Sequence, residues 1–208
     1  NGNFRDEATQ KRTGANIPHL RHDEEKTAEQ MGLDFDSYVA VIDRIRVKLL
    51  EVRATRVRPH LDDKILTDWN GLTIAALARA GRVIGIPHFV TLAEKALNFI
   101  LSTMREDEGR LLHRYRDNEA DVEAFLDDYA FLIWGLIELY ESTFKPKYMR
   151  LGLELAHEMV EKFQDDEEGG FYFSSHDSEE LLIRNKDGYD GAIPSGNSAA
   201  ALDLVRLS

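Results

Sequence analysis

Two stretches of this chain follow one plan sixty residues apart. Asp62-Asp63-Lys64-Ile65-Leu66-Thr67-Asp68-Trp69-Asn70-Gly71-Leu72 is a polar and aromatic cluster that runs into an apolar segment, Thr73 to Ile84. Leu126-Asp127-Asp128-Tyr129-Ala130-Phe131-Leu132 again ends a polar segment and opens an apolar one. Superposed, Asp68 falls on Asp128, Trp69 on Tyr129 and Leu72 on Leu132, and the same offset of 60 carries Leu111-Leu112-His113 onto Phe171-Tyr172-Phe173. A fixed period of this length marks a repeated supersecondary unit that buries its apolar face only against its neighbours.

Each unit contains two different helices. The first, Thr67 or Asp68 to Ile84 and then Tyr129 to Tyr140, is apolar on most faces, so it must be covered nearly all round. The second, from Pro87 and from Pro146 to Phe163, is apolar on one face only: Phe89, Leu92, Ala93, Ala96, Leu97, Ile100 and Leu101, then Gly152, Leu155, Ala156, Met159, Val160 and Phe163. Gly85 stops one helix and Pro87 starts the next, the usual punctuation between helices. Gly109 introduces a strand-like stretch, Arg110 to Arg116; Gly169-Gly170 opens Phe171-Tyr172-Phe173, with which Glu180-Leu181-Leu182-Ile183-Arg184 can pair as a hairpin. A third unit begins at Ile193-Pro194-Ser195-Gly196-Asn197-Ser198, with Asn197 as the cap for Ala199 to Leu207.

An all-α fold follows, with inner and outer layers of antiparallel helices and short β-hairpins between repeats. Six such hairpins would close an (α/α)6 toroid, so residues 27–208 read as a partial one. Its repeats span about 62–121, 122–190 and a truncated 191–208, behind an extended lead-in, residues 1–26. A self-contained helical bundle is the alternative. Ahead of the first repeat, Thr27 can cap a short turn. Asp34 or Asp36 can cap a helix to about Arg53 whose stripe is Tyr38, Ile42, Ile45, Leu49 and Val52.

The net charge of −12 disfavours nucleic acid and anionic membrane as partners. The basic run from Arg44 to Arg58 reads as a solvated helix face with its linker. The absence of cysteine excludes thiol chemistry within the chain. Without a membrane-length apolar run or a signal-type start, the expected location is cytoplasmic.

Five segments together resemble the YyaL-like thioredoxin-domain-containing proteins, a family that includes spermatogenesis-associated members. They are Gly2-Asn3-Phe4, Asn16-Ile17-Pro18-His19-Leu20, Arg56-Val57-Arg58-Pro59-His60 with the run on to Gly71, Phe125 to Ala130, and Tyr189 to Ser198. The resemblance implies an (α/α)6 region similar to N-acylglucosamine 2-epimerase and six-hairpin glycosidases, preceded in the parent protein by a thioredoxin-like domain. The redox motif of that domain has no counterpart in a chain without cysteine. No reaction comes with the resemblance.

In such a ring the loops before the inner helices crowd the cavity mouth. They offer Asp62, Asp63, Asp127 and Asp128 as acid/base carboxylates, with His60 and His113 as further proton carriers. Trp69 and Tyr129 are candidate stacking platforms, and Asn70 and Asn197 candidate hydroxyl binders. Each also has a structural reading. Asp68, Asp128 and Asn197 sit where a helix cap is wanted. Asp62 and Asp63 can pair with Arg56 or Arg58, Trp69 and Tyr129 can be core, and His113 can pack as Phe173 does. Asp165-Asp166-Glu167-Glu168 lacks the alternating spacing of a calcium loop and reads as a solvated acidic turn. No metal site and no cofactor is expected.

Two functions follow. One is a carbohydrate-active toroid, an isomerase, epimerase or hydrolase binding a sugar or sugar derivative. The other is a non-catalytic scaffold that supports the thioredoxin-like domain. Exposed inner-helix surface would favour self-association.

Overall fold

The computed structural model describes residues 2–19, 21–106, 109–178 and 183–208. The chain forms two compact units, Asn1–Leu61 and Asp62–Ser208.

In the first unit the Asn3 side chain fastens the extended lead-in. Its Nδ2 donates to the Ile17 carbonyl at 2.8 Å, and its Oδ1 accepts the Ile17 N–H at 2.6 Å. Helix α1 (Glu24–Gln30) is capped by Asp23, whose carboxylate accepts the Lys26 N–H, and not by Thr27. Helix α2 (Phe35–Ala54) is capped by Asp34, as expected. Its apolar stripe is covered only at the start: Tyr38 is buried, whereas Ile45, Leu49 and Val52 are exposed. The element packed on α2 within this unit is α1, seven residues long, too short to cover five turns.

The second unit holds the repeats. Strand β1 (Ile65–Leu66) leads into α3 (Thr67–Ile84), followed by α4 (Pro87–Thr103), β2 (Leu112–Arg116), β3 (Glu119–Glu123), α5 (Leu126–Thr143), α6 (Pro146–Phe163) and α7 (Gly196–Leu207). The strands form one antiparallel sheet in the order β1-β2-β3. This is an all-α fold of α/α-toroid type with a β-hairpin between repeats. The expected second hairpin, Glu180 to Arg184, lies largely outside the described residues.

Helix α5 is the covered inner helix: α3, α6 and α7 pack on it, and Tyr129, Phe131, Leu132, Ile133, Leu136 and Leu139 are buried. Each such side chain contributes about 1.5–3 kcal/mol through burial. Helix α3 is less enclosed than its sequence suggests. Its core face (Gly71, Ile74, Ala75, Ala78) meets α4 and α5, while Trp69 and Val83 stay exposed.

The repeat register differs between helices and strands. Thr67 and Leu126 both open inner helices, Gly85 and Phe144 both end them in the left-handed conformation, and Pro87 and Pro146 both start outer helices. Every pair is 59 residues apart. The bridges after the outer helices, Arg105 with Leu111 and Gln164 with Phe171, show the second loop one residue longer, which restores 60 at His113 and Phe173. Asp68 therefore corresponds to Asp127, each the second residue of its helix, and Asp128 corresponds to Trp69. No helix among the described residues is long and apolar enough to cross a membrane.

Candidate active site at the inner-helix mouth

Strand pairing brings the candidate residues together. Leu66 pairs with Arg114 and Leu112 with Glu123, so β2 lies between the strand that enters α3 and the strand that precedes α5. The Thr67 hydroxyl donates to the Leu112 carbonyl at 2.6 Å, holding the start of α3 to β2. His113, the next residue on β2, is thereby set against the first turn of α5. There its ring meets Phe125 edge-on at 5.2 Å.

Asp128 is the centre of this arrangement and is fully buried. Its Oδ1 accepts the Asp68 N–H at 2.8 Å, and its Oδ2 accepts the Phe125 N–H at 2.8 Å. His113 Nδ1 lies 3.0 Å from both oxygens. Asp128 is the third residue of α5 and satisfies the amide just ahead of the helix, the carboxylate half of a capping box; Phe125 has no side-chain acceptor to return the bond. The cap residues are Leu66, Phe125 and Ser195, so neither Asp68, Asp128 nor Asn197 is an N-cap. The cost of burying the Asp128 charge is offset by its three donors.

Two further carboxylates stand beside this one. Burial raises Asp127 to about 6, with Asp128 and then Asp68 adding to the shift and the Gly196 amide opposing it. Burial also raises Asp68, and Asp128 adds to it. The hydrogen bond to Asp128 raises His113 against the opposing effect of burial. With Nδ1 turned to Asp128, Nε2 is the ring atom left for a ligand. The site therefore holds an acid that releases its proton only near pH 6, above the ordinary carboxylate range, and an imidazole backed by a carboxylate. Such a pair can donate and accept protons. Ligand atoms of Asp68, His113 and Asp128 lie within 4.8 Å of one another, near enough for one cation. Both Asp128 oxygens already accept backbone N–H groups, however, and a proton between His113 and Asp128 fits this geometry without a metal.

The other expected residues are placed elsewhere. Asp62 is exposed and pairs with Lys64 at 3.3 Å, and its hydrogen bond with Lys64 lowers it from its ordinary value. Asp63 pairs with Arg116 at 2.9 Å. His60 is exposed and belongs to the first unit. Tyr129 is core and no stacking platform: it is buried against Phe163, and its hydroxyl donates to Glu158 at 2.6 Å. Asn70 donates to the Leu66 carbonyl at 2.8 Å within its own helix start. The Asn197 amide is used on backbone, accepting the Phe171 N–H and donating to the Phe171 and Asp187 carbonyls. Trp69 remains open, 63% exposed on the first turn of α3. In the acidic turn, Asp165 is buried and is bonded by the Glu167 N–H and by Lys186, so it is a turn lock and not solvated. The offset of 60 matches Asp68 to the wrong carboxylate. The signal that corrects the match was present, since Pro87 and Pro146 are 59 apart.

No family model matches the chain. It is 34% identical to spermatogenesis-associated protein 20 of Homo sapiens over 204 residues, 93% of this chain and 26% of that protein. It is 32% identical to an uncharacterized Caenorhabditis elegans protein over 174 residues, 80% of this chain and 24% of that protein. The chain thus spans about a quarter of the length of these curated relatives. Among solved structures it is similar to cellobiose 2-epimerase from Spirochaeta thermophila, with a TM-score of 0.56 and 13% identity over 70% of this chain and 39% of that one. The cellobiose 2-epimerase from Bacillus thermoamylovorans gives 0.54 and 15%, over 72% and 39%. A family 105 glycoside hydrolase from C. acetobutylicum gives 0.54 and 13%, over 88% and 54%. At these identities the structural likeness establishes the fold.

Proposed function

Since this chain is a homologue of spermatogenesis-associated protein 20 with an α/α-toroid fold, we propose that Asp68, Asp127 and the His113–Asp128 dyad perform proton-transfer chemistry on a carbohydrate. The observation that carries this reading is the gathering of three carboxylates at the N-terminal ends of α3 and α5, Asp127 shifted to about 6 by burial, Asp128 and Asp68, and Asp128 bonded to the His113 imidazole. Asp127 in its protonated form can give a proton to a carbonyl or glycosidic oxygen. His113 can take a proton at Nε2, and Asp128 would stabilise the imidazolium that forms. Trp69, exposed beside Asp68, offers a ring on which an apolar sugar face can stack. The epimerase and glycosidase folds among its structural neighbours support the substrate class.

The test is incubation in heavy water with a panel of reducing aldoses and disaccharides. NMR would detect deuterium entering at C2, and a reducing-end assay would detect hydrolysis. Asp127→Asn and His113→Asn are each expected to lower turnover by about 100-fold or more. If Asp127 is the acid, Asp127→Asn should also remove the step near pH 6 from the pH–rate profile. No exchange, no hydrolysis and no saturable binding across the panel would sink the reading.

One observation favours a scaffold instead. Asp128 ties α3, α5 and β2 together through the Asp68 N–H, the Phe125 N–H and His113, as a structural staple would. On that reading both variants change only Tm.

A further inference from the structure

Gly196, the first residue of α7, is buried against the acid that this reading puts to work. A Cβ on Gly196 would stand 2.1 Å from Asp127 Oδ1 and 3.0 and 3.1 Å from Leu126 Cγ and Cδ2. Its φ is not left-handed, so no turn demands glycine here. Space beside the Asp127 carboxyl does.

Both partners are fastened independently to one short segment. The Leu126 N–H donates to the Phe173 carbonyl at 3.0 Å, which sets the start of α5. Asn197 brackets Phe171 with bonds of 2.8 and 2.9 Å, which sets the start of α7. Asp190 accepts the Ser195 N–H at 2.9 Å, and Ser195 Oγ accepts the Ser198 N–H at 3.1 Å, closing the turn ahead of Gly196. Phe171–Phe173 thus ties the start of α5 to the start of α7, where Asp127 and Gly196 meet.

We propose that Gly196 is a positioning residue for Asp127, the third repeat supplying the surface that fixes where the acid's carboxyl stands. The proposal rests on the functional reading of Asp127 given above. A methyl group at 196 drives the carboxyl away from the Gly196 amide, the one neighbour that lowers its proton affinity among contributions from burial, Asp128, Asp68 and Asp187 that raise it.

The experiment is carboxyl-carbon NMR titration of aspartate-labelled protein, with the Asp127 signal assigned by its loss in Asp127→Asn. Gly196→Ala is expected to move the Asp127 midpoint upward by about half a pH unit or more. Asn197→Ala, which loosens the same turn without adding volume, is expected to move it in the same direction by less and covers the case in which Gly196→Ala does not fold. A midpoint unchanged in a folded Gly196→Ala, or in Asn197→Ala if that alone folds, overturns the assignment. The titration reads the carboxyl whether or not a sugar is turned over. Silence in the sugar panel with a moved midpoint therefore removes the functional reading alone.

Discussion

The α-carbon of Gly71 lies against the backbone of Phe131. A Cβ there would stand 2.6 Å from the Phe131 carbonyl carbon, 2.8 Å from its oxygen and 2.7 Å from the Leu132 nitrogen. All three are backbone atoms, so no rotamer change relieves the contact, and α3 and α5 approach this closely because residue 71 has no side chain. Gly71→Ala is expected to destabilise the protein by about 1–3 kcal/mol, although alanine is the better helix former by about 1 kcal/mol. Chemical denaturation decides it, and a gain in stability would mean that propensity, not the crossing, governs this position.

Phe144 ends α5 with φ 54°, where the equivalent Gly85 ends α3 with φ 75°. A side chain in the left-handed region costs roughly 1 kcal/mol, and Phe144 is exposed, with an edge contact to Tyr140 at 6.2 Å. Phe144→Gly should raise the midpoint of denaturation, a gain of about 0.5–1 kcal/mol. A loss would show that the Tyr140 contact outweighs the backbone strain.

Asp128→Asn leaves the shape of the dyad while replacing one acceptor oxygen by a donor. One of the Phe125 N–H, the Asp68 N–H and His113 then loses its partner, at about 2–3 kcal/mol. Asp128 raises His113, so this pair stabilises the fold below the ordinary histidine pKa and the contribution is lost as pH rises through the raised value. In Asp128→Asn the His113 titration, followed by proton–nitrogen NMR, should fall back toward or below its ordinary range. An unmoved His113 would show that the dyad is not formed in solution.

Asp203 on α7 is fully buried, and neither carboxyl oxygen has a partner among the described residues. Burial raises it to about 8, Glu138 adding to the shift and Arg206 opposing it. The folded protein thus binds a proton that the unfolded chain has released above about pH 4. Stability is fully present below that pH and falls as pH rises toward about 8, by up to about 1.4 kcal/mol per unit for one proton. Asp203→Asn should flatten this slope and exceed the parent in Tm at pH 8. Parallel curves for the two proteins would show that Asp203 is charged and paired.

The sequence determined the helices and their layering. Pro87 and Pro146 start outer helices where periodicity placed them, and the all-round apolar run Phe131 to Leu139 became the enclosed inner helix. These are local outcomes, set by backbone restriction and by which faces a helix can leave wet. The site was decided elsewhere. A shift from 60 to 59 residues turns a helical side chain by about 100°, enough to exchange Asp128 for Asp127 as the repeat equivalent of Asp68. Which carboxylate is buried with three donors depends on a backbone N–H sixty residues away and on a strand that delivers His113. Residue types made Asp62 and Asp127 look alike. Only tertiary structure, by placing one beside Lys64 in water and the other under α7, gave them opposite shifts in proton affinity.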